Sequence, residues 1–166
     1  MHVRAEIAYP TGSAEQVFAL ITRADFREDV CRATSALTYA VDIRPESDGR
    51  VSVTVERTVP ASVPDLVKRF VGETITIVQT EHWRAPQAGE VRVAGLDIEV
   101  KGQPARLTGS ATLEPVGSGC REVIVGDLRV SVPFVGKQIE PSVAEAILAG
   151  ARIEERTGQQ WLSRLD

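Results

Sequence analysis

The C-terminal segment VGKQIEPSVAEAILAGARIEERTGQQWLSRL, residues 135–165, carries the longest helical pattern in the chain. Read at helical pitch it has one apolar face. The members of this stripe are Val135, Ile139, Val143, Ala146, Ile147, Gly150, Ile153, Thr157 and Trp161. A stripe of this length needs an extended apolar surface to lie on. Its centre holds only Ala146 and Gly150, so either the helix backbone comes close to that surface or a space is left there.

The start of this helix is complicated by a proline. Pro141 lacks an N–H group, and its ring is tolerated mainly in the first turn of a helix. We therefore expect a short lead-in turn, followed by the main helix from about Pro141.

Most of the remaining chain alternates between apolar and polar residues, as half-buried strands do. Strands are predicted over residues 2–9, 37–43, 51–55, 74–83, 90–94, 105–113 and 121–130. Asp48-Gly49 favours a tight hairpin, and a turn is expected at residues 86–89. Residues 95–104 either extend the strand before them or bulge at Gly102.

Three short helices are predicted from their end signals. Ser13 with Gln16 forms a capping-box pattern that opens the first, and the second covers residues 24–32. The third starts near Ser62 to Asp65 and stops at Gly72.

Length and composition indicate one domain, residues 1–166, with 43% hydrophobic and 25% charged residues. A net charge of −4 without any basic stripe argues against binding to nucleic acid. The N-terminal residues do not resemble a signal peptide, and no apolar run reaches the roughly 20 residues of a membrane span, so a cytoplasmic location is expected.

The cysteines and histidines give no sign of a metal or cofactor. Cys31 and Cys120 are far apart in the sequence, and two buried thiols are a simpler interpretation than a disulfide. His2 and His82 have no companions at metal-ligand spacing. We expect neither a metal nor another cofactor.

The order of elements is a strand, two short helices, a run of antiparallel strands and one long helix. It predicts an α+β fold in which a curved antiparallel sheet wraps around the C-terminal helix. Only 5% of the residues are aromatic. A cavity beneath the helix and close packing of small residues both remain open.

Several short motifs resemble one known group of proteins. They are RTVP at 57–60, EHW at 81–83, LTG at 107–109, VPFVGKQIE at 132–140 and WL at 161–162. Together with the element order, they are similar to the START-like (SRPBCC) superfamily, which has the helix-grip fold. This superfamily includes polyketide cyclases, coenzyme Q-binding proteins, plant pathogenesis-related allergens and lipid-transfer domains. The closer resemblance is to a bacterial branch consisting of a domain of unknown function.

The resemblance implies that a hydrophobic ligand binds between the sheet and the C-terminal helix, where some members also perform chemistry. Onto this chain it places a lid formed by helix residues and a wall formed by strand residues. The lid residues are Ile139, Val143, Ile147 and Gly150. The wall residues are Tyr39, Val53, Val55, Ile77 and Leu107.

Three charged residues are added to this predicted site. Strand alternation points Arg57 and Glu81 inward, where they form either an ion pair or polar clamp in the cavity or a rim salt bridge. Glu154 lies at the edge of the apolar stripe. It is either buried with a raised pKa, as an anchor or proton donor, or directed to solvent. His82 points outward and is not expected to be catalytic.

Three functional hypotheses follow. The first is a non-enzymatic binding or carrier domain for a small hydrophobic molecule, such as a lipid, an isoprenoid or a polyketide-like compound. The second is a cyclase- or hydratase-like enzyme that uses the same cavity, although no catalytic residue is assigned. The third is a solid-cored protein-interaction module that acts through its surface, either as a homodimer or as a monomer.

Overall fold

Four helices and seven strands make up residues 1–87 and 91–165, the part of the chain that the computed structural model describes. The helices are α1 (Ala14–Ile21), α2 (Ala24–Ala33), α3 (Asp65–Val71) and α4 (Gly136–Ser163). The strands are β1 (His2–Tyr9), β2 (Thr38–Pro45), β3 (Val51–Pro60), β4 (Thr74–Trp83), β5 (Arg92–Val100), β6 (Ala105–Val116) and β7 (Gly119–Val130).

The strands form one curved antiparallel sheet in the order β1-β7-β6-β5-β4-β3-β2. Gly109 of β6 faces Gly126 of β7 in the pairing register. A Cβ atom on Gly109 would lie only 1.9 Å from the Val125 carbonyl oxygen, so the strands approach there as only glycine permits. The predicted α+β helix-grip architecture is confirmed.

The inner face of the sheet carries the core. In β1, the inward residues Val3, Ala5, Ile7 and Tyr9 are buried and their neighbours exposed, as the alternation predicts. Free thiols of Cys31 and Cys120 also lie in this core, again as predicted.

The short helices α1 and α2 close one end of the curved sheet. The Ser13 hydroxyl accepts a hydrogen bond from the Gln16 N–H at 3.1 Å, and the Gln16 side chain accepts one from the Ser13 N–H at 3.0 Å. This confirms the predicted capping box. Phe26 of α2 meets Trp161 of α4 edge to face, with the ring centroids 5.9 Å apart.

The long helix begins earlier than expected. α4 is helical from Gly136, with Pro141 inside it, so the prediction of a main helix starting at about Pro141 is wrong. Its first turn is held by the end of β7, because the Glu140 carboxylate accepts a hydrogen bond from the Val130 N–H at 3.2 Å. The proline removes only the hydrogen bond to the carbonyl of Lys137, an exposed residue.

One strand prediction that was left open is resolved by the structure. Residues 95–100 extend the preceding strand as part of β5, and Gly102, at φ +73°, lies in the following turn rather than in a bulge. The turn predicted at residues 86–89 and the strand start at Glu90 fall partly outside the described residues, since 88–90 are not described.

Candidate functional site

An apolar cavity of about 100 Å³ lies between α4 and the inner face of the sheet. Its wall includes Ile75, Ile77, Leu107, Val143 and Ile147. Outside it, a groove of about 830 Å³ runs between α4 and the segment that follows β3. The cavity and the groove share lining residues, so they border each other. The shared residues are Arg57, Ile75, Ile77, Ala146 and Gly150.

Three glycines explain why α4 leaves this space. A Cβ on Gly136 would lie 2.0 Å from the Val130 carbonyl oxygen, and one on Gly158 would lie 2.5 Å from the Tyr9 ring. At Gly150, midway along the helix, the nearest atom would be an Arg57 nitrogen 4.0 Å away. The helix is therefore tightly packed at Gly136 and Gly158 and leaves a gap at Gly150. The small residues at the centre of the stripe allowed either a close approach of the helix backbone or a remaining space. At Gly150 the structure has a remaining space.

The buried face of α4 is rotated from the predicted stripe. Ile139 and Thr157 of the stripe are buried as predicted, but so are Ala144, Glu154, Gly158 and Leu162 outside it, whereas Ala146 is exposed at the groove. Glu154 consequently lies on the buried face, and its side chain is only 11% exposed. The interpretation in which Glu154 is directed to solvent is wrong.

A buried arginine organises the polar end of the cavity. Arg27 of α2 donates to Glu81 at 2.8 Å, to Glu154 at 3.4 Å and to the Ile21 carbonyl at 2.6 Å. The Arg27 and Glu81 side chains are 3% and 2% exposed, so this is a fully desolvated ion pair.

Glu81 also accepts hydrogen bonds from two neighbours on its own strand. The Gln79 amide donates at 2.6 Å and the Trp83 indole at 2.8 Å. With Arg27, these donors satisfy the buried carboxylate. Its position in β4 is thus structural, away from the cavity lining.

Two further polar side chains, Glu122 and Tyr9, lie close to this network. Both are buried, Tyr9 on β1 and Glu122 on the neighbouring strand β7. Among the described residues, neither the Glu122 Oε2 atom nor the Tyr9 hydroxyl has a hydrogen-bond partner. Burying a polar group without a hydrogen-bond partner is costly, and the cost is much higher for an ionised carboxylate than for a neutral carboxyl group.

Proton binding in the cluster follows from burial and from crowding of like charges. Burial, together with the charges of Glu154 and Glu81, raises the pKa of Glu122 well above its ordinary value. Burial also raises the pKa of Glu154, against the opposing effects of Arg27 and Arg57. Burial disfavours the charge on Arg27, but Glu81, Glu154 and Glu122 outweigh it and raise the Arg27 pKa. Glu122 and Glu154 therefore keep their protons to a higher pH than exposed glutamates do.

The predicted site residues divide into those that line the cavity and those that do not. The cavity-lining members are Arg57, Ile77, Leu107, Val143, Ile147, Gly150 and Glu154. Ile139 instead lines a smaller space of about 60 Å³ between α3 and the start of α4.

The other predicted wall residues lie elsewhere, for identifiable reasons. Val53 and Val55 are 0% and 2% exposed and are covered by the core. Tyr39 is on the edge strand β2, where its hydroxyl accepts a hydrogen bond from Arg32 at 2.7 Å. Their alternation identified the inward face correctly but did not show what covers each position.

The expected meeting of Arg57 with Glu81 does not occur. Glu81 pairs with Arg27, which approaches from α2, and no ion pair of Arg57 is found among the described residues. His82 lies exposed on the outer face, with its Nδ1 atom 3.2 Å from the Ser52 hydroxyl.

Arg27, Glu122 and Tyr9 were not among the predicted site residues, although patterns in the sequence mark them. Arg27 lies on the same face of α2 as the buried Val30 and Cys31, so helical periodicity predicts that its side chain is buried too. Glu122 shares the inward alternation of β7 with Ile124 and Leu128. A charged residue inside an apolar periodicity was the signal that could have identified both.

The chain is similar in sequence to uncharacterized mycobacterial proteins. The chain is 23% identical over 160 residues to an uncharacterized protein of Mycobacterium tuberculosis, which covers 92% of this chain and 91% of that protein. None of the described helices is long and apolar enough to cross a membrane.

Two solved structures illustrate the fold. The Zhui aromatase/cyclase from a Streptomyces species matches with a TM-score of 0.64 and 8% identity, over 99% of this chain and 94% of that one. The STAR-related lipid transfer protein from Xanthomonas axonopodis matches with a TM-score of 0.59 and 11% identity, over 96% and 84%. The fold is therefore the START-like helix-grip fold, as the sequence motifs suggested.

The family is shown by a match to the sequence itself. The model of DUF2505, described as a protein of unknown function, matches residues 4–162, which is nearly the whole chain. The protein belongs to the DUF2505 family, which the structure places within the START-like fold.

Proposed function

We propose that this protein binds or carries a small hydrophobic molecule in the space between the sheet and α4. The observation that carries the proposal is the open space at Gly150, where a tightly packed helix would contact the sheet. Aliphatic residues of β4 and α4 surround that space, and such linings are typical of ligand pockets.

The size of the space limits how a ligand would bind. The cavity alone, at about 100 Å³, is smaller than the roughly 300–1,000 Å³ of ordinary ligand pockets. The adjoining groove adds about 830 Å³. A lipid, isoprenoid or polyketide-like molecule would therefore place one part in the cavity and the rest along the groove.

Binding of a neutral fluorescent probe, phenylnaphthylamine, tests the proposal. We expect the wild-type protein to bind it and Gly150→Leu to weaken binding about tenfold or more, because the leucine side chain fills the centre of the space. Gly150→Ala is the matched control, since it makes the same backbone change and leaves most of the volume open. Equal binding by wild type and Gly150→Leu would show that this is not the pocket.

A cyclase- or hydratase-like enzyme using the same cavity is the second candidate. Glu154 favours it, because this buried carboxyl lines the cavity and burial raises its pKa, as a general acid requires. A carrier returns its bound molecule unchanged, whereas an enzyme returns one of altered structure. Mass analysis of the molecule before and after incubation distinguishes them.

A further inference from the structure

Arg57 differs from every other charged group around the cavity. It lies on β3, is half-buried, and lines both the cavity and the groove. Within residues 1–87 and 91–165 its guanidinium forms no ion pair, and the thiol of Cys31, a neutral group, lies beside it. Arg27, by contrast, pairs with the carboxyl groups of Glu81 and Glu154, and Arg106 at the cavity wall pairs with Asp97 at 2.6 Å.

The neighbouring carboxyl group forms no ion pair with Arg57. Glu154 lines the same cavity and feels the charge of Arg57, but the ion pair it forms is with Arg27. The remaining charges of the groove, Glu145 and Arg152, are on exposed residues of α4 and are screened by water. Arg57 thus places a positive charge, without an ion-pair partner among the described residues, at the border between the apolar cavity and the groove.

A guanidinium in this setting has a clear chemical preference. Removing a cation partly from water is unfavourable unless an anion or hydrogen-bond acceptors replace the lost water. The planar, five-donor guanidinium group matches the two oxygens of a carboxylate or phosphate. The aliphatic side chains of Ile75, Ile77 and Ile147 border the same space and suit an apolar chain or ring.

We infer that the ligand is an anionic amphiphile, whose carboxylate or phosphate group binds Arg57 while its apolar body occupies the space beneath α4. This inference rests on the proposed binding function and specifies its ligand class. Arg57 is then the residue that selects an acid over a neutral molecule of the same length.

Displacement of phenylnaphthylamine by dodecanoate, dodecyl phosphate and dodecanol, at a pH where both acids are ionised, tests this inference. In wild type we expect at least one of the acids to bind about tenfold or more tightly than the alcohol, because a charge-assisted hydrogen bond is lost in the alcohol. The two acids distinguish a carboxylate ligand from a phosphate ligand. In Arg57→Met that preference should disappear, while dodecanol binding changes little.

The matched control is Arg152→Met, which removes a cation from the exposed side of the groove. It should keep the preference for the acid. Equal binding of acid and alcohol by the wild-type protein, or an equal loss in both variants, would overturn the inference while leaving the proposed function intact. If none of the compounds nor the probe binds, both the inference and the proposed function fail.

Discussion

At the scale of single residues, the core of this protein contains a charge cluster that an apolar core does not need. Arg27 connects α2 to β4 and α4 through Glu81 and Glu154, and among the described residues one oxygen of the nearby Glu122 has no hydrogen-bond partner. Buried ion pairs contribute little net stability, because desolvation offsets their attraction. Within the cluster, Glu154 is the member that lines the cavity.

The raised pKa of Glu122 makes stability depend on pH. The folded state keeps a proton that the unfolded state releases near its ordinary pKa of about 4.5, so the free energy of unfolding falls as pH rises above that value. Each unit by which the pKa is raised corresponds to about 1.4 kcal/mol. Replacing Glu122 with glutamine, which cannot ionise, should therefore flatten this decline and make the variant more stable than wild type near pH 8.

Urea unfolding between about pH 5 and pH 8 measures this effect. Asp25 and Asp48 do not affect the slope in this pH range. Hydrogen bonds lower their pKa values, so their contribution to stability is lost only at more acid pH. Glu154 acts in the same direction as Glu122 and leaves a residual slope. Glu99→Gln, on the exposed side of β5, is the control. A Glu122→Gln profile parallel to that of wild type would refute the assignment.

At the scale of elements, α4 is the part whose packing decides the function. Its two ends lie against the sheet at Gly136 and Gly158, and it leaves a gap at Gly150. Contact with β1 and β7 holds the helix over one side of the sheet, and the groove opens on the side of β3 and β4. The helix thus roofs the space without filling it.

Two alanine substitutions in α4 should change stability in opposite directions. Gly158→Ala places a Cβ 2.5 Å from the ring of Tyr9, a fully buried residue, and should cost about 1–3 kcal/mol through overpacking. Gly150→Ala meets nothing closer than 4.0 Å and should stabilise the helix by up to about 1 kcal/mol. Urea denaturation of both variants checks this, and a stability change of the same sign in both would contradict the packing described here.

The sequence predicted most of these elements because their signals are local. The Ser13–Gln16 capping box and the alternation in β1 each depend on residues close in the chain. The helix start at Gly136 was missed because it depends on contact with Val130, which only the fold provides. For the same reason the alternation placed Glu81 on the inner face but did not reveal its partner, Arg27.

At the scale of the whole molecule, a curved sheet and a single long helix enclose a space that small residues leave open. The family assignment and the fold do not determine what occupies it, because solved structures of similar fold include both an aromatase/cyclase and a lipid transfer protein. The location of the space, beneath the middle of α4, could be predicted from Ala146 and Gly150. Its charged lining could be predicted only in part, through Arg57 and Glu154.

Methyl NMR of isoleucine-labelled protein during titration with phenylnaphthylamine tests the central claim most directly, since it reports where a ligand binds. We expect chemical-shift changes concentrated at Ile75, Ile77 and Ile147, which line the cavity. Ile7 and Ile21, fully buried and absent from that lining, serve as internal controls and should change little. Binding that leaves Ile77 and Ile147 unperturbed, or a titration without any shift, would contradict a ligand site beneath α4.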